Sequence, residues 1–513
     1  MLPSAQARAG AAPALVNRTT PDAAPVLARA NAGYLSTLLS QGVRVVCKLA
    51  GLVVLARLVS PTDHGVFAMA ASFTLLLSLL RDGGTGIAAI QAPRLSEGQQ
   101  TALLQLHVLL GFALAGVTWL LAPSVAHFYR SPELTPVLHL MSASFVLNGL
   151  NAWPRNLLGR ELRFGELNRL ETIAAAAATL AMIVAAWLGV GAAAFAWFLL
   201  VSEAVMGLLA WTWCHWRPHA PAAWREIVPL LRTGLQLTAG NLLAQLLAIA
   251  DTLGFGRWLG AGALGPYNRA GQLLQQPVQL VAVPFGQVLL ATLSRLGTTS
   301  PAFAPHLRDT ANAIAHLTLP VVAVCVALPD FIVRLVLGAA WPDAAPLLRW
   351  LALGAAATLL TATVQPLCIA TGRAHRLTGL SALALAATAS ALWVARDCGP
   401  SGLAGAVALA NVALIVPRLW WATRDTPVSL HDYAGAFTGP LTQTLALAAG
   451  LAAGRWAVSE VTGHALLAVV GALSGGAAAY ALALAARRAT RAELARVRAL
   501  LPGMRATPSP AEP

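Results

Sequence analysis

The sequence predicts an all-α polytopic membrane protein with about 14 transmembrane helices, arranged as two pseudo-symmetric six-helix bundles plus two additional helices. Hydrophobic residues make up 57% of the 513 residues and charged residues 11%, too few charges to cover a soluble fold of this length. The apolar residues also fall into stretches near the roughly 20 residues that a membrane-spanning helix needs. The formal charge of +14 is therefore interpreted as membrane topology and contact with anionic lipid, and no nucleic-acid partner is expected.

The segments are obtained by cutting the chain at charges, prolines and glycines. In the first half they are predicted at residues 37–58, 65–80, 103–122, 137–152, 173–190 and 192–211. In the second half they are predicted at residues 234–255, 273–293, 311–337, 344–370, 377–394, 403–421, 441–454 and 465–486. The ninth and tenth segments contain prolines, so the residues at which these two helices begin and end are not fixed by this division.

The basic residues predict the orientation of the chain. Of the 34 Lys and Arg residues, 24 lie in or next to the inner connections and tails if the amino terminus is cytoplasmic, 8 lie in or next to the outer connections, and 2 (Arg44 and Lys48) lie deeper within the first segment. Cytoplasmic connections carry an excess of Lys and Arg. We therefore expect a multi-pass protein of the cytoplasmic (inner) membrane with both termini in the cytoplasm.

The predicted domains follow from these segments. They are a disordered cytoplasmic tail (1–36), a six-helix bundle (37–213), a cytoplasmic linker (214–233), a second six-helix bundle (234–424), two further helices (425–486) and a basic cytoplasmic tail (487–513). The charged, leucine-rich stretch at residues 155–171 predicts a helix lying on the inner surface. The five cysteines are scattered and odd in number, which predicts neither a disulfide framework nor a metal site, and no cofactor is expected.

An internal match supports the division into halves. Residues 55–65 (LARLVSPTDHG) resemble residues 255–265 (FGRWLGAGALG), so that Arg57 pairs with Arg257 and Gly65 with Gly265 at an offset of 200 residues. A repeated unit with an even number of segments keeps its orientation in the membrane. Two bundles related by an axis along the membrane normal, facing one central cavity, are therefore predicted.

Several passages resemble the Wzx-type polysaccharide flippases, in the superfamily that also contains multidrug antiporters and the lipid II flippase. They are ARLVSPTDHGVFA (56–68), RDGGTGIAAIQ (81–91), RFGELNRLE (163–171), and DTLGFGRWLGAGALGPYNR (251–269) with the residues that follow it. The resemblance covers most of residues 35–425. It implies a fourteen-helix transporter that moves an undecaprenyl-diphosphate-linked oligosaccharide from the cytoplasmic to the outer leaflet for surface polysaccharide synthesis. A polysaccharide polymerase and glycosyltransferases are its candidate protein partners.

Charged residues within apolar segments are the candidate site residues, because a charge at the centre of the bilayer costs roughly 2.5–3.5 kcal/mol on insertion scales. Arg44 and Lys48 are four residues apart and share one helical face near mid-membrane. They are expected to bind the diphosphate of the substrate. The alternative is a structural role, in which they pair with a buried acid, with Glu203 the obvious partner, or snorkel to the interface.

Five further residues leave two interpretations open. Arg81 and Asp82, at the inner end of segment two, fit a structural elbow or a ligand contact. Arg257 and Arg269 bracket the outer turn after segment seven and fit either a surface anchor or a phosphate contact in an outward-open state. Asp251, near the outer side of segment seven, fits a coupling-ion or proton site, or a cap or partner for an outer Arg.

Histidine and tryptophan residues in the apolar segments have simpler interpretations. His107, His139 and His316 fit hydrogen-bonded packing residues, with proton coupling the alternative. An interfacial aromatic belt accounts for the tryptophans near segment ends, namely Trp153, Trp211, Trp213, Trp216, Trp341, Trp420 and Trp421.

Three rival functions remain. A multidrug antiporter of the same architecture would need acids facing a cationic substrate, and segment one offers only cations. A membrane-embedded polymerase, ligase or glycosyltransferase would need outer carboxylates for acid and base catalysis, whereas the outer connections are short and no catalytic motif is present, so no catalytic residue is expected. A scaffold for polysaccharide enzymes is the third.

Overall fold

The computed structural model describes residues 42–81, 85, 95–161, 163–462 and 465–486, and these residues are predominantly helical. The predicted tails (1–36 and 487–513) and Asp82 lie outside the described residues. The helices are α1 (42–58), α2 (Pro61–Arg81), α3 (Glu97–Tyr129), α4 (Leu134–Arg160), α5 (Phe164–Trp187), α6 (Ala193–Trp213), α7 (Trp224–Leu259), α8 (Ala261–Leu296), α9 (Phe303–Ala327), α10 (Pro329–Val336), α11 (Ala344–Leu360), α12 (Val364–Ala370), α13 (His375–Val394), α14 (Gly399–Ala413), α15 (Ile415–Thr423), α16 (Leu430–Gly435), α17 (Thr438–Thr462) and α18 (Ala465–Ala486).

The prediction of a polytopic all-α membrane protein is confirmed. Over the described residues, 11 helical stretches are long and apolar enough to cross a membrane. Each of the 14 predicted segments coincides with one helix or with two consecutive helices. Segments nine, ten and twelve are the interrupted ones. Pro329 begins α10, the break at residues 361–363 precedes Pro366 in α12, and Leu414 separates α14 from α15.

The predicted surface helix at residues 155–171 is wrong. The chain reverses between the end of α4 at Arg160 and the start of α5 at Phe164, so this stretch forms the ends of two spanning helices. Leu158 and Leu170 are fully buried and pack together with Ala210 of α6. The leucines at helical spacing therefore pack between helices. Leucines in a helix that lies on the membrane surface would have the same spacing, so the sequence pattern does not distinguish the two arrangements.

Two of the predicted belt tryptophans are also buried. Trp153 and Trp341 are each 1% exposed. The indole N–H of Trp341 donates to the carbonyl oxygen of Ala56 at the end of α1, at 2.7 Å. Position near a segment end does not distinguish an interfacial indole from one that joins two helices.

Helices α2 and α8 cross at a pair of glycines. A Cβ atom on Gly65 would overlap the carbonyl oxygen of Ala261, and one on Gly265 would overlap that of Pro61. The missing side chains let the two backbones approach closely, as small residues do between membrane helices. The contact is reciprocal. Pro61 corresponds to Ala261, and Gly65 corresponds to Gly265, at the same offset of 200 residues as in the internal match. A pseudo-twofold axis through the crossing would produce this arrangement, while the domain division remains a prediction.

The predicted additional helices form a hairpin. Helices α17 and α18 pack along each other through glycines, and a Cβ on Gly454 would overlap the carbonyl oxygen of Gly471. Helix α17 also packs against α9, where Leu447 and Leu451 join a buried cluster with Leu328. This hairpin therefore contacts the second half of the chain.

The glycine crossing predicts the effect of one methyl group. Gly65→Ala places a Cβ against backbone that cannot move independently of α8, so the free energy of unfolding should fall by about 1–3 kcal/mol. The measurement is the thermal midpoint of the purified protein in detergent. Gly116→Ala is the matched control, because that exposed glycine of α3 has open space around it. Equal midpoints for both variants would contradict a tight crossing.

Candidate functional site

The main candidate site is a cavity of about 570 Å³ between α1, α2, α5, α6, α7 and α8. This volume will be called the central cavity. Its walls are largely apolar, with leucines of α1, Phe67 of α2, Met182 of α5 and Phe198 of α6. Its cationic groups lie on α1 and α8, and its polar groups include His64 of α2 and Thr252 of α7.

Arg44 and Lys48 both line the central cavity from α1, as their shared helical face predicts. Arg44 is ion-paired with Glu171 of α5, and its guanidinium lies 3.4 Å from the side-chain oxygen of Asn168. Lys48 is exposed to the cavity. Among the described residues no ion pair neutralises Lys48, so the two cations of α1 differ in how much of their charge is available to a ligand.

Arg269 lines the same cavity from α8 and is 6% exposed. Its guanidinium lies 5.6 Å from the ring centroid of Phe195 and donates to the side-chain oxygen of Gln272 at 2.8 Å. The expectation that Arg269 anchors the outer surface is wrong. It lies nine residues beyond Gly260, about 13 Å along the helix, which brings it well inside the membrane.

A polar stripe on α8 identifies the face that carries Arg269. Arg269, Gln272 and Gln276 are spaced i, i+3 and i+7 and all line the central cavity. This spacing places them on one side of a helix whose other residues are largely apolar. The spacing of these three polar residues can be read from the sequence. It would have predicted that Arg269 faces a polar cavity.

His64 of α2 is a cavity residue that the sequence analysis did not single out, although it lies within the passage ARLVSPTDHGVFA. Its Nδ1 lies 2.9 Å from the carbonyl oxygen of Ser60. The ring makes edge contacts with Phe195 and Trp341, each with 4.9 Å between centroids. Since His64 precedes Gly65 and Arg269 is one turn from Gly265, the glycine crossing brings both side chains to one end of the cavity.

The charge of the central cavity is positive. Its described lining includes Arg44, Lys48 and Arg269 and contains no Asp or Glu. Glu171 forms an ion pair with Arg44 but does not line the cavity, and no described carboxylate forms an ion pair with Arg269. A buried, uncompensated cation is expensive to hold in a membrane, and such groups mark functional sites.

Glu203 is not the partner of Arg44 or Lys48, so that expectation is wrong. Its carboxylate accepts from the Asn148 side chain of α4, with both oxygens at 3.1 Å, and lies 3.8 Å from Arg81 of α2. Neither Arg81 nor Glu203 lines the central cavity. These contacts link α2, α4 and α6, as the structural-elbow interpretation of Arg81 expects, and the acid beside Arg81 is on another helix because neighbours in a helix do not face each other.

Asp251 faces away from the central cavity. It lines a separate cavity of about 370 Å³ between α7, α8, α11 and α14, and the Tyr267 hydroxyl donates to its carboxylate at 2.7 Å. The adjacent Thr252 lines the central cavity. Helix α7 therefore lies between the two cavities, and Asp251 is partnered by a hydroxyl, in contrast to the outer Arg that one interpretation expected.

Arg257 lies with its guanidinium 5.6 Å from the Phe128 ring of α3 and does not line the central cavity. This contact joins α7 to the first half of the chain.

The three histidines within apolar segments all have partners. His107 forms a hydrogen bond with Thr85 at 2.9 Å, His316 lies 3.0 Å from the carbonyl oxygen of Asn312, and His139 stacks on a tryptophan. These contacts fit packing roles for the three histidines, and their part in proton coupling stays untested.

Comparison with known proteins gives the family. The family model described as polysaccharide biosynthesis protein matches residues 54–346. The chain is 26% identical over 305 residues to the lipopolysaccharide biosynthesis protein WzxC of Escherichia coli, a match covering 59% of this chain and 62% of that protein. It is 24% identical over 334 residues to the teichuronic acid biosynthesis protein TuaB of Bacillus subtilis, covering 63% and 69%.

Solved structures share the fold at low sequence identity. The lipid II flippase MurJ in an inward closed conformation aligns with a TM-score of 0.70 and 14% identity, covering 88% of this chain and 98% of MurJ. An inward-facing multidrug resistance transporter of the MATE family aligns with a TM-score of 0.58 and 15% identity, covering 77% and 95%. The fold, together with a family match over more than half of the sequence, shows that the chain is a multi-pass membrane protein belonging to the polysaccharide biosynthesis protein family.

Proposed function

We propose that the protein moves an undecaprenyl-diphosphate-linked oligosaccharide from the inner to the outer leaflet of the cytoplasmic membrane, as a step in the synthesis of a surface polysaccharide. The observation that carries this proposal is the central cavity with Lys48 and Arg269 and no acid in its described lining. Relatives named for lipopolysaccharide and teichuronic acid biosynthesis, and the fold shared with a lipid II flippase, support the same substrate class.

The two uncompensated cations suit a diphosphate. Phosphate oxygens accept charge-assisted hydrogen bonds from both guanidinium and ammonium groups, and an Arg can donate two at once. Gln272 and Gln276 add neutral donors on the same face as Arg269. The lipid chain would stay in the membrane while the charged headgroup occupies the cavity.

Arg44 has a different part in this proposal. Because Glu171 already neutralises it, Arg44 holds α1 against α5 and adds little net charge to the cavity. Arg44 is therefore a positioning residue for Lys48, which lies one turn further along the same face.

The mechanism proposed is alternating access. With both termini cytoplasmic, the crossing at Gly65 and Gly265 lies at the outer end and closes the cavity there. Separating α2 from α8 would expose the headgroup to the outside. A membrane potential of 100 mV, negative inside, would favour expelling two negative charges by about 4.6 kcal/mol, less whatever protein charge moves with them.

A multidrug antiporter remains the alternative of the same fold. It would present carboxylates to an organic cation, whereas the described lining of the central cavity carries cations. The shared fold does not separate the two functions, so the sign of the cavity charge is what favours the flippase.

Deletion of the gene tests the function directly. Surface polysaccharide should be lost and the lipid-linked oligosaccharide should accumulate on the cytoplasmic leaflet, both reversed by the wild-type gene. The readouts are surface glycan and leaflet-resolved labelling of the lipid-linked intermediate. Unchanged glycan with altered drug tolerance would instead support the antiporter.

Arg269→Gln should lower export roughly 10- to 100-fold, since a charge-assisted hydrogen bond contributes about 1.5–3 kcal/mol. Arg269→Lys should retain part of the activity. Lys48→Arg should likewise retain activity and Lys48→Glu abolish it. The matched control is Arg396→Gln, which removes a cation on the exposed turn after α13 that pairs with Asp397. Normal export by Lys48→Glu and Arg269→Gln, at wild-type membrane levels, would disprove the cationic site.

The Arg44–Glu171 pair makes a separate prediction. Arg44→Gln alone leaves Glu171 unpaired beside the cavity, whereas the double variant Arg44→Gln with Glu171→Gln removes both charges. Export by the double variant should therefore exceed that of the single variant, as measured in the complemented deletion strain. Equal loss in both would mean that Arg44 itself contacts the substrate.

A further inference from the structure

A second polar cavity, of about 750 Å³, lies within the second half of the chain. It is bounded by α7, by the break between α11 and α12, by the first turns of α13 and by α15. Leu247 of α7 faces this cavity while Ala248 faces the central one, so the helix lies between the two volumes. The proposed transport function makes no use of this cavity.

Arg418 is the charged centre of the cavity. It is half-buried on α15, and its neighbours in the lining are neutral donors and one histidine, with no Asp or Glu among the described lining residues: Thr361, Gln365, His375, Thr378 and Ser381. Within the described part of the chain, Arg418 has no ion pair or side-chain hydrogen bond. The Thr361 hydroxyl donates to the carbonyl oxygen of Thr358 at 3.0 Å, and the other polar groups around Arg418 are able to donate to an anion.

Two nearby arginines, unlike Arg418, have partners for their side chains. Arg376 donates to the Asp425 carboxylate at 2.8 Å and to the carbonyl oxygen of Arg424 at 2.7 Å. Arg373 donates to the carbonyl oxygen of Asp425 at 2.6 Å. These two side chains tie α13 and the turn before it to the turn after α15, whereas Arg418 points into open volume.

The depth of Arg418 indicates what could reach it. It lies five residues before the end of α15 at Thr423, roughly 7 Å along the helix axis. Trp420 and Arg424 lie beyond it toward that end, which places the predicted inner interface there. Arg418 therefore lies just below the headgroup level, and Leu243, Leu247 and Leu377 provide apolar wall beside it.

We propose that this cavity binds the phosphate group of an anionic lipid of the inner leaflet, with Arg418 as the principal ligand. A guanidinium matches phosphate geometry, and the hydroxyls of Thr378 and Ser381 supply neutral donors. The N-terminal turn of α13, which carries the positive end of that helix, also borders the cavity. Two lipids carry this chemistry: a resident glycerophospholipid and a polyprenyl phosphate.

The test is native mass spectrometry of the purified full-length protein in detergent, titrated with phosphatidylglycerol and, in parallel, with undecaprenyl phosphate. Wild type should retain one lipid in a saturable manner. Arg418→Gln should weaken that binding by roughly tenfold or more, while Arg418→Lys keeps part of it. Phosphatidylcholine, whose headgroup carries no net charge, should bind equally to all variants.

Matched variants separate loss of the site from loss of the fold. Arg396→Gln, which removes a cation outside the cavity, should bind both lipids as wild type does. Thr378→Phe keeps Arg418 but fills the cavity from an exposed position of α13 and should also lose the lipid. Preference for phosphatidylglycerol would assign a resident phospholipid, and preference for undecaprenyl phosphate would assign the isoprenoid. Equal retention of both by wild type, Arg418→Gln and Thr378→Phe would overturn the proposal.

Discussion

The close approach of α2 and α8 is the contact on which the geometry of the central cavity depends. Neither Gly65 nor Gly265 has room for a Cβ, so the two backbones meet where any other residue would hold them apart. His64 lies one residue before Gly65, and Arg269 lies one turn after Gly265. The contact therefore brings these two side chains to the same end of the cavity. Trp341 adds a second constraint there, because it donates to the end of α1 and touches the His64 ring.

Charge compensation explains the contrast between the cations of this protein. Arg81 and Arg44 have acids on neighbouring helices, Glu203 and Glu171, and these pairs connect α2 to α6 and α1 to α5. Lys48, Arg269 and Arg418 have no such acid among the described residues. Since an uncompensated charge in the membrane interior is costly, its presence beside a cavity is better explained by a ligand than by stability. The central cavity and the cavity around Arg418 are thereby proposed as two different anion sites, with α7 between them.

Pairings between helices were the weakest part of the sequence-based predictions. Glu203 and Arg44 both lie near mid-membrane in the sequence, which makes Glu203 the partner expected if Arg44 has a structural role. Depth fixes only one coordinate, however, and the rotation of α6 turns Glu203 toward Arg81 and Asn148. The surface helix failed for a related reason, since leucines at helical spacing indicate an apolar face without indicating whether protein or lipid covers it. By contrast, the shared face of Arg44 and Lys48 was correct, because helical periodicity is local.

The sequence by itself determined the membrane class of the protein, the positions of its helical segments and the resemblance to polysaccharide flippases, because apolar length and helical period are sums over neighbouring residues. It also identified Arg44, Lys48 and Arg269 as candidates and matched Gly65 with Gly265. The tertiary structure alone decided that Arg269 is buried, that Glu171 neutralises Arg44, and that His64 and Arg418 line cavities. Those outcomes depend on how helices distant in sequence rotate and approach, and small residues at the crossings set that packing.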